Sequence, residues 1–157
     1  MENETGKPVA VVSEGDPLRL AGATAKCVVI VSEDQPLGLM VNTASVLTFT
    51  LGHRMGEFIG PDVQDASDDI HPGIIKIPIP ILKASPEVLR ELRAKALETK
   101  QVFVVDFTDV AQSCKTYDEF IQKMLLVSED QLTYIGIALC GEKKVLNKLT
   151  GNLPLVK

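Results

Sequence analysis

Two apolar runs in this sequence each end in a residue with a polar or reactive side chain. Asp106 ends the run QVFVVD, and Cys140 ends the run YIGIALC. A carboxylate at the end of a buried strand can act as a general base, and a cysteine near the start of a helix can become a nucleophilic thiolate. The pattern therefore nominates Asp106 and Cys140 as candidate catalytic residues.

Each candidate also has a structural interpretation. Asp106 could cap the turn that follows it by accepting hydrogen bonds from backbone N–H groups. Cys140 needs a base, yet His53 and His71 are the only histidines and neither lies in a motif that would bring it close. For Cys140 the sequence therefore favours a packed, unreactive thiol.

The cysteines and the acidic residues predict no cofactor. Cys27, Cys114 and Cys140 are odd in number and lack a C-x-x-C pair, so we expect reduced thiols. An acidic loop contains Asp62, Asp65, Asp68, Asp69 and His71. Its spacing fits no EF-hand loop, so we expect a solvated loop and no metal site.

An uncharged stretch from Gln35 to Gly52 predicts a helix that is deeply buried. Its small polar residues, including Asn42 and Thr43, would need internal partners or a ligand once they leave water. Gly38 lies near the start of this helix, and Thr108 lies just after the strand that carries Asp106. These residues predict a pocket for a small polar ligand at the strand ends.

A second ligand-binding element follows the last strand. Gly141 and Lys144 stand at the start of a short basic helix, where the helix dipole and lysine side chains could hold a small anion. The alternative is a solvated helix face whose cations stabilise the helix end.

The elements that would position these residues alternate between strands and helices. KCVVIV and QVFVVDF read as buried strands, and IIKIPIPILKA reads as an edge strand because its prolines cannot donate to a ladder. Ser85 and Pro86 begin the clearest helix, as N-cap and first helical residue. The alternation predicts one three-layer α/β/α domain with a mixed sheet at 26–157, preceded by an arm or added edge strand at 1–25.

Composition limits the classes of partner. The 157 residues carry a net charge of −5, the opposite of the basic surface that nucleic acid selects. The first residues lack the basic flank of a signal peptide, and no apolar run is long enough to span a membrane. We expect a soluble cytoplasmic protein, and the edge strand and the apolar tail GNLPLVK suggest a homo-oligomer.

Several strings together resemble one family. KCVVIVSEDQPLGLMVNTASVL, HPGIIKIPIPILKA, VVDFTDVAQSC and YIGIALCGEKKVLNKLTGNLPL resemble the domain-of-unknown-function 2000 family, over about residues 26 to 157. This family is related in fold to the type II peptidyl-tRNA hydrolases. The resemblance implies a three-layer sandwich on a mixed four-stranded sheet, with no assigned activity.

The same resemblance argues against peptidyl-tRNA hydrolysis. In the hydrolases a Gly-Lys-Gly-Lys element enters the first helix, where this chain keeps Gly38 but has Leu39 and Val41 at the lysine positions. The hydrolase element Asp-Ala-Gly-Arg-Thr falls on DFTDV, which keeps Asp106 and replaces the threonine with Val110. Without the lysine, the activating charge and a phosphate contact are missing.

The sequence thus predicts a small-molecule-binding module on a peptidyl-tRNA hydrolase II-like fold. The alternative is a hydrolase or transferase of a small acyl or amide substrate that uses Asp106 and Cys140.

Overall fold

The computed structural model describes residues 24–157, so the predicted arm or edge strand at 1–25 falls almost wholly outside the described residues. The described chain forms five α-helices and a mixed four-stranded sheet. The helices are α1 (Leu37–Gly52), α2 (Pro86–Thr99), α3 (Asp109–Ser113), α4 (Tyr117–Met124) and α5 (Lys143–Thr150). The strands are β1 (Ala25–Ser32), β2 (Val63–Gln64), β3 (Ile70–His71), β4 (Ile81–Ala84), β5 (Val102–Thr108) and β6 (Tyr134–Glu142).

The main sheet has the strand order β4-β1-β6-β5. β1 is parallel to β4, and β6 is antiparallel to both of its neighbours, so β1, β4 and β5 run in one direction. Strands β2 and β3 form a separate small hairpin. From Cys27 to Ser32 every residue of β1 is buried, which confirms the predicted strand buried on both faces.

Helices cover both faces of the sheet. On one face, α2 and α5 contribute Leu89, Leu92 and Leu146 to a core with the sheet. On the other face, α1 contributes Leu47 and Leu51 to a second core. The predicted mixed α/β class with a mixed four-stranded sheet is therefore confirmed.

The start of α2 follows the sequence prediction. Ser85 Oγ accepts a hydrogen bond from Val88 N at 3.4 Å, and Pro86 is the first helical residue. The helix ends where Lys100 takes a left-handed conformation with a φ of 53°. These local signals place the helix because they act within one turn of its ends.

Helix α1 is less buried than the sequence predicts. One stripe of the helix is buried against the sheet, and it consists of Thr43, Ala44, Leu47 and Leu51. On other sides Val41 is 57% exposed and Phe49 is 88% exposed. Among the described residues α1 is the only α-helix that contributes to the core on its face of the sheet, beside Phe58 from a short 3-10 turn, so its outer side has no further helix layer to pack against.

The proline-marked strand is shorter than predicted. Strand β4 lies at the sheet edge, as expected, but it begins only at Ile81, because Pro78 and Pro80 cannot donate to a ladder. Pro80 nevertheless accepts from β1, through a bond from Val29 N to Pro80 O at 3.0 Å. The residues before Ile81 form a wall beside α1 instead of a strand.

The outer side of β4 is covered by the end of the described chain. Lys83 N donates to Pro154 O at 3.0 Å, and Val156 N donates to Ile81 O at 3.0 Å. Leu82 and Leu155 form an isolated antiparallel bridge between these two bonds.

The expectation of three reduced thiols is wrong. Cys27 in β1 lies directly opposite Cys140 in β6, and the two form a disulfide across 113 residues of sequence. Cys114 is the free cysteine among the described residues. Sequence spacing alone does not identify this pair because antiparallel register, which the sequence leaves open, brings the two residues together.

Candidate functional site

A long apolar groove lies between α1 and the segment 59–81. Its volume is about 840 Å³. The segment contributes five isoleucines to its lining: Ile59, Ile74, Ile75, Ile79 and Ile81. No Asp, Glu, Lys or Arg is among the described residues that line it, so the groove is suited to apolar parts of a ligand.

One flank of α1 forms the side of the groove. Val41, Ser45, Thr48 and Gly52 follow each other at spacings of four, three and four, which places them on the same flank of a helix. Ser45 Oγ donates to Val41 O at 2.8 Å, and Thr48 Oγ1 donates to Ala44 O at 2.6 Å. Because both hydroxyl protons stay within the helix, even the polar members of this flank present a largely apolar surface.

The opposite wall is held by backbone contacts. Gly60 N donates to Ile74 O at 2.9 Å, and Lys76 N donates to Phe58 O at 2.8 Å. At Gly73 an added Cβ would overlap the Gly60 carbonyl, so the two backbones approach as closely as only glycine permits. Ile74, which is 81% exposed, stands at the mouth of the groove.

The inner end of the groove reaches the disulfide. Met55 lines the groove, and its Sδ lies 3.6 Å from Cys27 Sγ. Among the described residues that line the groove, His53 has the side chain that could act as a general base. No carboxylate lines the groove to orient His53, and the hydroxyls of Ser45 and Thr48 donate within α1, so the described lining residues do not form the linked nucleophile, base and orienting group of a catalytic set.

A second cavity of about 550 Å³ shares Ile79 with the groove. Lys26 and Lys143 border this cavity and give it a positive rim. Lys26 Nζ donates to Asn147 Oδ1 at 2.8 Å, which fixes its position at the start of β1.

Asp106 does not face the groove. In β5, Phe103, Val105 and Phe107 pack toward α1, so Asp106 projects from the other face, toward α2. There Arg93 Nε donates to Asp106 Oδ2 at 2.6 Å. The sheet therefore separates the predicted general base from the predicted ligand-binding helix.

Asp106 belongs instead to a cluster of charged and aromatic side chains that the sequence analysis missed. Tyr134 OH donates to Glu129 Oε1 at 3.0 Å, and the guanidinium of Arg93 lies 5.0 Å from the centre of the Tyr134 ring. Arg90 donates to the carbonyls of Glu129 at 3.1 Å and of Leu132. Arg90 and Arg93 are three residues apart, which places them on the same side of α2. This spacing is the feature of the sequence that could have indicated the cluster.

Two pKa values in this cluster are shifted. Burial alone would lower the pKa of Arg93, but the hydrogen bond and charge of Asp106 outweigh it and raise that pKa. Burial, followed by the hydrogen bond to Glu129, raises the pKa of Tyr134 to about 12. The cluster thus holds α2 against the segment that leads into β6.

The candidates near the last strand take unexpected positions. Cys140 lies inside β6 and is fully buried in the disulfide, so the predicted position between a strand and a helix is wrong and its sulfur is no free nucleophile. An added Cβ at Gly141 would lie 2.5 Å from Gln101 O, which shows that this glycine serves strand packing. Lys144 is exposed on α5.

The remaining candidates do not converge on one pocket. Thr43 is fully buried, and its hydroxyl has no hydrogen-bond partner among the described residues. Gly38 and Asn42 are exposed on α1. Thr108 is buried and caps α3 by accepting from Ala111 N at 3.4 Å. It pairs with Tyr134 at one end of β6, whereas Gly141 lies at the other end, about 20 Å away.

The acidic loop stabilises its own turn. Asp65 Oδ1 accepts from Ser67 N at 2.7 Å and from Asp69 N at 3.1 Å, and its Oδ2 lies 3.2 Å from His71 Nε2. The hydrogen bond with His71, followed by those from the backbone, lowers the pKa of Asp65. Within residues 24–157 no cluster of three or more Asp, Glu, His or Cys residues is arranged to hold a metal ion.

The groove residues were not among the sequence candidates. Two signals could have pointed to them: prolines that stop IIKIPIPI from pairing as a strand, and an uncharged α1 whose outer apolar residues have no layer to cover them. None of the helices in the described part of the chain is both long and apolar enough to cross a lipid bilayer.

Comparison with known proteins supports the same fold. The structure of a protein of unknown function, Atu0240 from Agrobacterium tumefaciens strain C58, matches with a TM-score of 0.77 and 21% identity. The match covers 85% of this chain and 98% of that one, and at this identity it establishes the fold alone. No curated protein matches the sequence. Residues 25–157 match the family described as "Protein of unknown function (DUF2000)", and the chain therefore belongs to this family.

Proposed function

We propose that this protein is a binding module for a small amphipathic molecule whose apolar part occupies the groove beside α1. The observation that carries the proposal is the groove itself, with a volume of about 840 Å³ and an apolar lining. Ligand sites in proteins commonly have volumes of roughly 300–1,000 Å³ and mostly apolar walls.

The exposed side chains around the groove supply a driving force for binding. Val41, Phe49 and Ile74 are 57%, 88% and 81% exposed. Covering apolar surface of this kind contributes about 25 cal/mol for each Å² removed from water. A concave surface with such a rim favours a compact apolar group over a polar one.

The neighbouring cavity suggests an anionic end for the ligand. Lys26 and Lys143 lie beyond Ile79, which the groove and the second cavity share. A carboxylate or similar anion there would gain charge-assisted hydrogen bonds while the chain attached to it lies against the isoleucines. We therefore propose an amphipathic acid in place of the small polar ligand that the sequence predicts.

We also infer a fold relationship to the type II peptidyl-tRNA hydrolases without their activity. Gly38 and Asp106 occupy corresponding motif positions, whereas Leu39 and Val41 stand where the lysines would be. Arg93 engages one oxygen of Asp106, which makes this carboxylate a weak candidate for activating a water. A cytoplasmic location stays a prediction from the sequence.

A dansyl-labelled fatty acid tests the groove through its fluorescence on binding. Ser45→Phe places a ring in the groove and should raise the dissociation constant about tenfold or more, because the ring occupies space that the ligand needs. Thr50→Phe is the matched control. Thr50 lies on another side of α1, is exposed like Ser45, and makes the same bond to the carbonyl four residues earlier, at 2.9 Å.

The anionic end is tested separately. Lys143→Met should weaken binding of the labelled acid and leave binding of its methyl ester unchanged, whereas Lys148→Met on the same helix should alter neither. The groove proposal would be abandoned if the wild-type protein bound neither probe, or if Ser45→Phe and Thr50→Phe weakened binding equally. Equal effects of Lys143→Met on acid and ester would overturn the assignment of the anionic end.

A further inference from the structure

The two edges of the main sheet differ. On the outer side of β4, the chain's own residues 154–156 supply backbone hydrogen bonds. On the outer side of β5, no residue of the described range 24–157 does so, since the ladder of Val102–Thr108 runs to β6 alone. Within the described part of the chain, one edge is therefore closed and the other is an open template for pairing.

Strand β5 carries little of the protection that open edges usually have: its pairing is irregular between Phe107 and Thr108, but this lies at the end of the strand. Its sequence is VFVVDFT, with no proline, no lysine and a length of seven residues. The charge it carries, on Asp106, is paired with Arg93 on the α2 face. Phe103, Val105 and Phe107 are half-buried against the α1 core. An edge of this composition promotes association unless a partner covers it.

We propose that the partner is a second copy of this chain, and that the two β5 strands pair antiparallel across a two-fold axis. Such a dimer would join the two main sheets into one continuous sheet of twice the width. Self-association is favoured over an unrelated partner because β5 is complementary to itself, in both its aromatic residues and its flanking charges.

The aromatic residues set the register. A two-fold axis at Val105 places Phe103 opposite Phe107 of the partner subunit, twice, on the face that carries α1. Cross-strand aromatic pairs are among the more stabilising side-chain pairs of a sheet.

The flanking charges match in the same arrangement. Lys100 lies just before β5 and Asp109 just after it, and both are exposed. Asp109 Oδ1 accepts from Val110 N at 2.9 Å and from Thr133 N at 3.1 Å, so its Oδ2 is the oxygen that could receive a partner's ammonium group. With the axis at Val105, Lys100 lies one residue out of register from Asp109 of the partner subunit at each end of the joint, within reach of its long side chain. Complementary charges of this kind select the orientation of association more than they add affinity.

Sedimentation velocity of the full chain over a range of concentrations tests the dimer. Lys100→Glu should raise the dimer dissociation constant about tenfold, because it removes two ion pairs and introduces two repulsions. Lys144→Glu makes the same charge change on α5 and should leave the dimer unaffected. Both sites are exposed, so neither substitution should prevent folding.

A cross-link tests the register. Val105→Cys would place two thiols opposite each other across the joint, within reach of a disulfide, and mild oxidation should give a covalent dimer. The wild-type protein with its free Cys114 is the control. A dimer that Lys100→Glu does not weaken and Val105→Cys does not trap would overturn the proposal, because another surface would then hold it.

A protein that stays monomeric at every concentration would also overturn it. Hydrogen exchange of the β5 amides that point away from β6 would then show what covers the edge. Slow exchange of these amides in a monomer means that the chain itself covers them.

Discussion

At the scale of single residues, Gly136 sets how closely α1 approaches the sheet. An added Cβ would overlap Thr43 Cγ2 and lie 3.0 Å from Leu47 Cδ1. Gly136→Ala should lower the free energy of unfolding by about 1–3 kcal/mol, the usual cost of overpacking a core. Urea unfolding monitored by circular dichroism measures this change.

Gly38→Ala is the matched control for that substitution. No atom lies within 4 Å of its added Cβ, and alanine in place of a glycine within a helix should stabilise by about 0.5–1 kcal/mol. Combining Gly136→Ala with Thr43→Ser removes the overlapping methyl group and should recover part of the loss. If the changes in the free energy of unfolding from Gly136→Ala and Thr43→Ser are additive in the double variant, overlap with the Thr43 methyl group is not the cause of the loss.

Tyr134 makes stability depend on pH in the alkaline range. Its pKa is about 12 in the folded protein, raised by burial and then by Glu129, against an ordinary value of 10.0. The folded state therefore keeps the phenol proton that the unfolded state loses. The resulting stabilisation is present in full below about pH 10 and is lost as the pH rises toward 12.

Tyr134→Phe should flatten this part of the pH profile of the free energy of unfolding. At neutral pH it should cost about 0.5–1.5 kcal/mol, because the hydrogen bond to Glu129 is lost. The difference in tyrosinate absorbance between wild type and variant reports the titration of Tyr134 alone. An unchanged slope between pH 10 and 12 in the variant would refute the role given to this phenol.

At the scale of elements, the disulfide joins the two central strands. Denatured without reductant, the chain should have one reactive thiol, that of Cys114, and reduction should raise the number to three. Reduction should also lower the free energy of unfolding by about 2–4 kcal/mol, because the closed loop restricts the unfolded chain. Cys114→Ser should leave the effect of reduction intact, and three thiols before reduction would rule the bond out.

The elements that the sequence predicts well are those with local signals. Ser85 and Pro86 fix the start of α2 because a cap acts within one turn, and the apolar run of β1 identifies a buried strand by composition alone. The exposure of α1 escaped prediction because it depends on how many helices share a face, which no residue of α1 encodes. The pairing of Cys140 with Cys27 escaped for a similar reason: it follows from the register of β6 against β1, which no residue of either strand encodes.

At the scale of the whole molecule, the predicted site failed to assemble because strand register decides which face a side chain takes. Asp106 and the α1 residues that the sequence predicts to bind a ligand are close in the sequence-based picture, yet they lie on opposite sides of the sheet. The groove depends on a wall that reaches from Ile59 to Ile81, so its two sides meet only through the tertiary fold. The family itself was identified correctly from sequence, since its motifs are local strings.

The pairing of β1 with β6 has a consequence for the newly made chain. About 100 residues separate the end of β1 from the start of β6. At a synthesis rate of roughly 5–20 residues per second, β6 is therefore made about 5–20 s after β1. During that interval the run CVVIV can reach β4, but the strand that fills its other side has not yet emerged. The most apolar strand of the sheet is therefore exposed while the chain is being made, which makes synthesis the stage at which this protein most needs protection from aggregation.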